Sequence, residues 1–433
     1  MDDSPYRTPQ QPDDSTRQPA PSGSGAGGIT RARIAIICGL LLLASAINYL
    51  DRQTLASASA RIKTEFELLN EQYGDIEAAF GYGFVIGSII FGLLADLVPV
   101  RWLYPVVLIS WSTVTAATAL ATGYEDLLWC RLVLGIFEAG HWPCGVRVVR
   151  SLTRTGGRTM GNGLLQSGTS IGAVLAPLII LALLTDEIGS WRPAFAIVGG
   201  IGVVWVVAWF LSVRAQDLAT DSAERQQATP WRVLLQRRMV IVLVVVCLIN
   251  TTWQLFRAWL HLFLEEGRDY TETQTLLFNS GWFAATDVGC LGVGAVVLWL
   301  CSKGMTPTRA RLLMFSACAG LCLTMLALPL LPKGWILLTV LLFGGAGALG
   351  MFPLYHAFTQ DISGKHQGKV TGIAGVTAWF LVPPAQKLFG RLVDVTGSYD
   401  TGLAAAACLP AAAAIILWTF WTDEPDEQSQ TLS

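Results

Sequence analysis

Arg131 and Glu138 are ionisable residues inside an apolar run, from Leu127 to Val149, that is long enough to cross a bilayer. On a helix the two side chains share a face and lie about 10 Å apart along the axis. A charge in hydrocarbon costs at least ~2.5–3.5 kcal/mol, so such residues normally face a protein interior or a water-filled path. A carboxylate with a basic neighbour can take up and release a proton, and we predict that chemistry here. The alternative is an ion pair that only joins two helices.

A second apolar run carries a polar stripe. Asn250, Gln254, Arg257 and His261 recur at steps of four, three and four residues, which places them on one face of a helix. A stripe that contains a cation is typical of a helix lining a wet cavity, and we predict that Gln254 and Arg257 bind substrate. A polar seam between two membrane helices is the alternative.

Two further acids and a third arginine lie in or at the ends of apolar runs. Asp51 and Arg52 end the first run, and Asn48 and Tyr49 share a face with Arg52. We predict that Asn48, Tyr49 and Arg52 bind substrate. Hydropathy alone would also allow Asp51 and Arg52 to be an interfacial anchor. Asp287, in the eighth run, is a third buried acid, and we predict that Asp51 and Asp287 take part in proton coupling.

Several uncharged residues complete the predicted substrate site. Trp379 offers a ring face to a sugar, although most tryptophans in membrane proteins belong to the core or to the interfacial belt. Gln166 and Ser170 can bond sugar hydroxyls, with hydrogen bonding between helices as the alternative.

The charges in the apolar runs favour an anionic substrate. Four cations (Arg52, Arg131, Arg257, Lys387) exceed three acids (Asp51, Glu138, Asp287) by one, and protonating a carboxylate increases the excess. A cavity that becomes more positive on protonation binds an anion more tightly, and this linkage couples protons to anion transport. Arginine also suits bidentate contact with a carboxylate. We place Lys387 near the outer end of its run, where it can also reach the interface.

Composition indicates a polytopic membrane protein. Of 433 residues, 53% are hydrophobic and 14% charged, and the mean hydropathy is +0.51. The net charge of −2 suggests no nucleic-acid partner. The nine cysteines and four histidines show no metal-ligand spacing, and no phosphate-binding loop of the ATPase type occurs. We therefore expect no catalytic residues, no metal and no cofactor, and a monomer in the lipid bilayer.

Twelve apolar segments predict an all-α fold of twelve transmembrane helices in two six-helix halves. They lie at about 32–55, 75–97, 102–122, 126–149, 161–184, 193–213, 238–264, 274–300, 309–329, 334–358, 368–390 and 400–421. The predicted domains are a disordered tail (1–31), an N-terminal half (32–213), a linker (214–237), a C-terminal half (238–421) and an acidic tail (422–433). Most Lys and Arg then fall in cytoplasmic segments, which predicts that both termini and the linker are cytoplasmic.

The halves also show a weak internal repeat. Shifting the fifth segment by 207 positions superposes Gly161, Gly168 and Pro177 on Gly368, Gly375 and Pro384. Parallel repeats of this kind are typical of carriers that bind substrate between their halves at mid-depth.

Four stretches resemble the anion:cation symporter branch of the major facilitator superfamily, above all its bacterial hexuronate and aldonate transporters. These stretches are AINYLDRQTLA (46–56), GLLADLVPVRW (92–102), RLVLGIFEAGHWP (131–143) and GTSIGAVLAP (168–177). The resemblance implies the major facilitator fold. It also implies that Asp51, Arg52, Arg131 and Glu138 serve substrate binding and proton coupling.

We therefore expect a cell-membrane carrier that imports an organic anion, such as a hexuronate or another sugar acid, by proton symport and alternating access. A proton-driven exporter is the rival in the same class, and a membrane receptor or enzyme is the rival from another class. An exporter would need a more apolar cavity. A receptor or enzyme would need a soluble domain or a catalytic constellation.

Overall fold

The computed structural model describes residues 31–152, 158–222, 236–362 and 367–421. All regular structure in these ranges is helical. The α-helices are α1 (Arg31–Ser57), α2 (Ser59–Glu65), α3 (Asn70–Leu97), α4 (Val100–Thr118), α5 (Tyr124–Glu138), α6 (His141–Leu152), α7 (Arg158–Leu183), α8 (Arg192–Ser212), α9 (Arg237–Glu265), α10 (Glu272–Ser302), α11 (Pro307–Leu323), α12 (Trp335–Ile362), α13 (Gln367–Ala378), α14 (Val382–Thr396) and α15 (Asp400–Phe420).

Eight of the described helices are long and apolar enough to cross a membrane by themselves. The other four predicted segments correspond to α4, to α5 with α6, to α7, and to α13 with α14. The fold is therefore the predicted all-α bundle with twelve transmembrane helices in two halves. We call the end of the bundle at which α3 begins the outer end, after the orientation predicted from Lys and Arg.

Two of the twelve spans are interrupted. The fourth span breaks at Ala139 and Gly140, between α5 and α6, and the eleventh breaks at 379–381, between α13 and α14. Prolines follow both breaks: Pro143 in the first turn of α6, and Pro383 near the start of α14. Proline lacks the backbone N–H that a continuous helix would need, so it favours a new helix start at these points. The breaks place Glu138 and Trp379 beside irregular backbone.

Glycines allow helices to approach closely. A Cβ on Gly168 would lie 2.2 Å from the carbonyl oxygen of Leu42, so α7 packs backbone to backbone on α1. Between the halves, a Cβ on Gly74 of α3 would lie 2.5 Å from the carbonyl oxygen of Gln386 in α14. Small residues of this kind are the usual basis of close packing between membrane helices.

Large apolar side chains cover the outside of the bundle. Examples that are more than half exposed occur on α3 (Leu93), α8 (Val204, Leu211) and α10 (Leu291, Leu298). A soluble protein rarely exposes so much apolar surface, whereas a bilayer solvates it. The chain is thus a multi-pass membrane protein.

Three predicted segments extend beyond the described residues. The first 30 residues, most of the linker and the acidic tail from 422 onward lie outside the described ranges. The described start of the linker forms a 3₁₀ helix, Ala215–Ser222. Asp217 in this helix accepts a hydrogen bond of 2.6 Å from Arg33 of α1.

Candidate functional site

Arg52 and Glu138 form a buried ion pair inside the N-terminal half. Nε of Arg52, on α1, donates to Oε2 of Glu138, at the end of α5, over 2.6 Å. Both side chains are almost completely buried. We call this pair the inner charge layer.

Aromatic rings surround the Arg52 guanidinium. Its carbon lies 5.0–5.6 Å from the ring centroids of Tyr49, Phe80, Phe84 and Trp379. Trp379 belongs to the opposite half and stacks on Phe84 with 4.7 Å between ring centroids. Guanidinium groups are attracted to ring faces within about 6 Å. The cage therefore holds Arg52 at the junction of the two halves.

A second cluster lies nearer the outer end, and we call it the outer charge layer. Glu77 of α3 accepts from Nη2 of Arg131 at 3.0 Å and from Nη2 of Arg257 at 2.5 Å. Arg131 belongs to the N-terminal half and Arg257, on α9, to the C-terminal half, so one carboxylate joins cations of both halves. The helical rise places Glu77 about 10 Å below Asn70, the first residue of α3, and Phe84 of the aromatic cage about 20 Å below it.

Arg131 and Glu138 share a helix face, as predicted, but the structure gives them different partners. No direct ion pair joins them among the described residues, because Glu77 bonds Arg131 and Arg52 bonds Glu138. Helix rotation and packing bring the partners from α1 and α3. The expectation that Arg131 is the direct partner of Glu138 is therefore corrected.

Asp51 lies inside the N-terminal half, although it follows Tyr49 and Leu50 at the predicted end of an apolar run. Its carboxylate is buried beside Thr115 of α4 and forms no hydrogen bond of normal geometry with a described residue. The amide of Asn48 is also buried and lacks a hydrogen-bond partner in the described part of the chain. Asp51 and Asn48 are thus polar groups inside the half, and not an interfacial anchor.

Several buried donors in the charge layers are unused. Nη2 of Arg52 and both Nε and Nη1 of Arg131 have no hydrogen-bond partner among the described residues. A buried donor without a partner costs about 1–3 kcal/mol, and more when it is charged. An anion with two or more oxygens would recover this cost.

The four residues of the predicted stripe on α9 have different hydrogen-bond partners. The Asn250 amide donates to the carbonyl oxygen of Ala378 at 2.8 Å, and Gln254 accepts from Nε of Arg257 at 2.7 Å. His261 bonds Asn279 of α10. Among the described contacts of the stripe, the bond from Arg257 to Glu77 reaches the opposite half.

Ser170 and Asp287 meet across the halves. The Ser170 hydroxyl on α7 donates to Oδ1 of Asp287 on α10 at 2.7 Å. This contact matches the alternative of hydrogen bonding between helices. The side chain of Gln166, also predicted to bind substrate, lies outside the described part of the structure.

Glu77 is the residue that the sequence analysis missed. It lies near the start of an apolar segment that hydropathy places at 75–97, where a carboxylate is easily counted as interfacial. The helix actually begins at Asn70, which carries Glu77 two turns into the bundle. Leu69, at the N-cap, has no side chain that can cap a helix, so little in the sequence signals this start; in the structure the Gln72 side chain accepts from the Leu69 backbone N–H at 2.9 Å.

The charge balance of the site changes accordingly. Lys387 is about half exposed at the outer end and pairs with Asp75 at 3.0 Å, so it does not belong to the buried cluster. The cluster then holds three arginines (Arg52, Arg131, Arg257) and three carboxylates (Asp51, Glu77, Glu138). It is neutral when all are ionised, and gains one positive charge for each proton bound.

The outer end of the bundle is closed by contacts between the halves. Arg61 of α2 makes two hydrogen bonds to Glu272 of α10, at 2.7 and 2.8 Å. Lys63 bonds Glu266 at 2.6 Å. Asp394 at the end of α14 accepts from the backbone N–H groups of Asn70 and Glu71, and so caps α3 from the opposite half.

The chain matches the model of the Major Facilitator Superfamily over residues 41–386. It is 24% identical over 408 residues to a hexuronate transporter of Escherichia coli strain K12, covering 89% of this chain and 93% of that protein. It is 27% identical over 425 residues to a probable sulfoacetate transporter of Cupriavidus necator, covering 91% and 96%. Among solved structures, a bacterial homolog of the human lysosomal transporter Spinster aligns with a TM-score of 0.73 at 13% identity, covering 91% of this chain and all of that one.

Proposed function

The chain belongs to the Major Facilitator Superfamily, and from that premise we propose that it is a secondary carrier that imports a small organic anion with protons. The favoured substrates are sugar acids such as hexuronates and aldonates. The two relatives described above are named as carriers of a hexuronate and of sulfoacetate, both of which are organic anions. The energy source is the proton gradient, without a cofactor.

The observation that carries the proposal is the set of unused guanidinium donors at the junction of the halves. Arg52 and Arg131 keep buried N–H groups without partners among the described residues. A carboxylate is the group whose geometry best matches these donors. Phe84 and Trp379 beside Arg52 can pack on the apolar face of a sugar ring.

Proton coupling follows from the charge balance. In the neutral cluster, an anion that binds the arginines competes with Glu138 for Arg52. A proton on Glu138 removes that competition and leaves Arg52 available. Proton binding and anion binding then favour each other, as symport requires.

The topology that accompanies this function has six-helix halves at 32–213 and 238–421, joined by a cytoplasmic linker. Both termini are cytoplasmic, and the protein works as a monomer in the cell membrane. Alternating access arises when the halves move about the central charge layers. The closed outer end is one state of that cycle.

Uptake into proteoliposomes tests the proposal. Purified protein is reconstituted, and labelled D-glucuronate, D-galactonate, sulfoacetate and neutral D-glucose are offered under an imposed inward proton gradient. We expect accumulation of at least one acid above its external concentration, loss of that accumulation when an ionophore collapses the gradient, and no accumulation of glucose. Accumulation of none of the acids, or accumulation that persists without the gradient, would contradict the proposal.

A further inference from the structure

Glu77 forms an ion pair with Arg257, the cation that the opposite half contributes to the site. Arg257 donates from Nη2 to Glu77 and from Nε to Gln254, and its Nη1 lies 3.5 Å from the backbone oxygen of Arg52. Each of its three nitrogens therefore has a partner while the outer end is closed. An anion can bind Arg257 strongly only where Glu77 has left it.

The contact between Glu77 and Arg257 depends on the closure of the outer end. The two residues are on α3 and α9, in different halves, and lie between the outer closure and the inner charge layer. Opening the outer end must move α3 away from the C-terminal half, because α3 is bound at its start to Asp394 of α14. Glu77 can then stay on Arg131, its partner in the same half, and Arg257 faces the path from outside.

We propose that Glu77 is an internal carboxylate that displaces the substrate anion from Arg257 as the outer end closes. The proposal rests on the anion transport proposed above. An incoming anion binds Arg257 when the outer end is open. Closure returns Glu77 to Arg257, so the anion is left with the unused donors of Arg52 and Arg131 and is released more easily to the cytoplasm.

The test measures anion affinity from the cytoplasmic side. The protein is reconstituted with its cytoplasmic face outward, and binding of the labelled acid that the uptake panel accumulates (D-glucuronate, D-galactonate or sulfoacetate) is compared between wild type and Glu77→Gln. We expect Glu77→Gln to lower the cytoplasmic-side Kd about tenfold, within the usual range of coupling between sites. Net transport should slow because release is slower, whereas exchange of internal for external anion should persist.

Glu272→Gln is the matched control, because it also removes a carboxylate that joins the halves but lies outside both charge layers. If Glu77 only fastened the halves together, the two variants would act alike and neither would tighten cytoplasmic binding. The double variant Glu77→Gln/Arg257→Gln should lose the gain in affinity, since the cation that the anion would use is gone.

Folding is checked by monodispersity and thermal stability. If Glu77→Gln does not fold, Glu77→Asp replaces it, because the shorter side chain keeps the charge but withdraws the carboxylate from Arg257. A folded variant whose cytoplasmic Kd is unchanged or weaker would overturn the role of Glu77 alone. If wild type binds none of the three acids of the uptake panel, the proposed function fails as well.

Discussion

Arg52 combines a buried salt bridge with an aromatic cage, and both features constrain the side chain that can replace it. Its Nε is used by Glu138 and its Nη2 has no partner among the described residues, so an external carboxylate can bind Nη2 and takes both arms of the guanidinium only when a proton releases Glu138. Lysine has a single ammonium group and cannot match this planar fork.

We therefore expect Arg52→Lys to weaken anion binding about 10- to 150-fold. This range corresponds to the loss of about 1.5–3 kcal/mol from a charged hydrogen bond. Arg52→Ala should abolish binding and also destabilise the fold, because it leaves Glu138 buried without its partner. Calorimetric titration with the transported acid measures the first effect, and thermal unfolding measures the second. Wild-type affinity in Arg52→Lys would show that the fork is not used.

Glu138 is the residue at which protonation would free Arg52. Glu138→Gln imitates the protonated carboxyl in size and removes its charge. The variant should keep binding and anion exchange but lose uphill accumulation driven by a proton gradient. Exchange and gradient-driven uptake are compared in the same vesicles. Continued accumulation by Glu138→Gln would move the coupling role elsewhere, with Asp51 as the next buried carboxylate.

At the scale of the helices, closure of the outer end depends on the close approach of α14 to α3. A Cβ on Gly390 of α14 would lie 2.1 Å from the carbonyl oxygen of Asn70, which no side chain can accept without movement. The Asp394 contact to the start of α3 lies one turn further along the same helix. Glycine at this position therefore allows the halves to meet.

We expect Gly390→Val to favour the outward-open state and to reduce transport, because α14 must withdraw from α3. Spin labels are attached at Glu125 and Thr273, which are exposed at the outer ends of different halves, in a variant without native cysteines. Electron paramagnetic resonance then measures the distance between the two labels. The distance between labels should lengthen. Gly200→Val is the control, because a Cβ there meets nothing within 4 Å, and its distance should equal that of wild type. An unchanged distance in Gly390→Val would show that closure tolerates the side chain.

In the whole molecule, several weak contacts between the halves together hold the outer end closed. Arg61 and Glu272 are each about one-fifth exposed, so water screens their attraction. Such a pair contributes about 0.2–1 kcal/mol. In the alternating access proposed above, this pair would adjust the balance between the open and closed states without fixing it.

Glu272→Gln should accordingly raise the ratio of outward-open to outer-closed protein about 1.4- to 5-fold, the factor equivalent to that energy. The same pair of spin labels measures this ratio. The difference between Glu272→Gln and wild type should shrink at higher salt, since salt weakens the exposed ion pair that the wild type retains. A complete shift to the open state would instead make this pair the main support of the closure.

The class of fold and most of the buried charges of the site follow from the amino-acid sequence alone. Hydropathy locates twelve spans because a bilayer requires about 20 apolar residues per helix whatever their neighbours are. Buried charges are conspicuous for the same reason, so Arg52, Arg131, Glu138 and Arg257 stand out in the apolar runs.

The partners of these charges do not follow from the sequence. Pairing depends on the rotation and packing of helices that are distant in sequence, and neither is encoded in the spacing within one helix. Arg131 and Glu138 share a helix face, yet Glu77 of α3 and Arg52 of α1 are their bonded partners. Glu77 joins these pairs because α3 starts at Asn70, which places Glu77 inside the bundle and within reach of Arg257 of the other half.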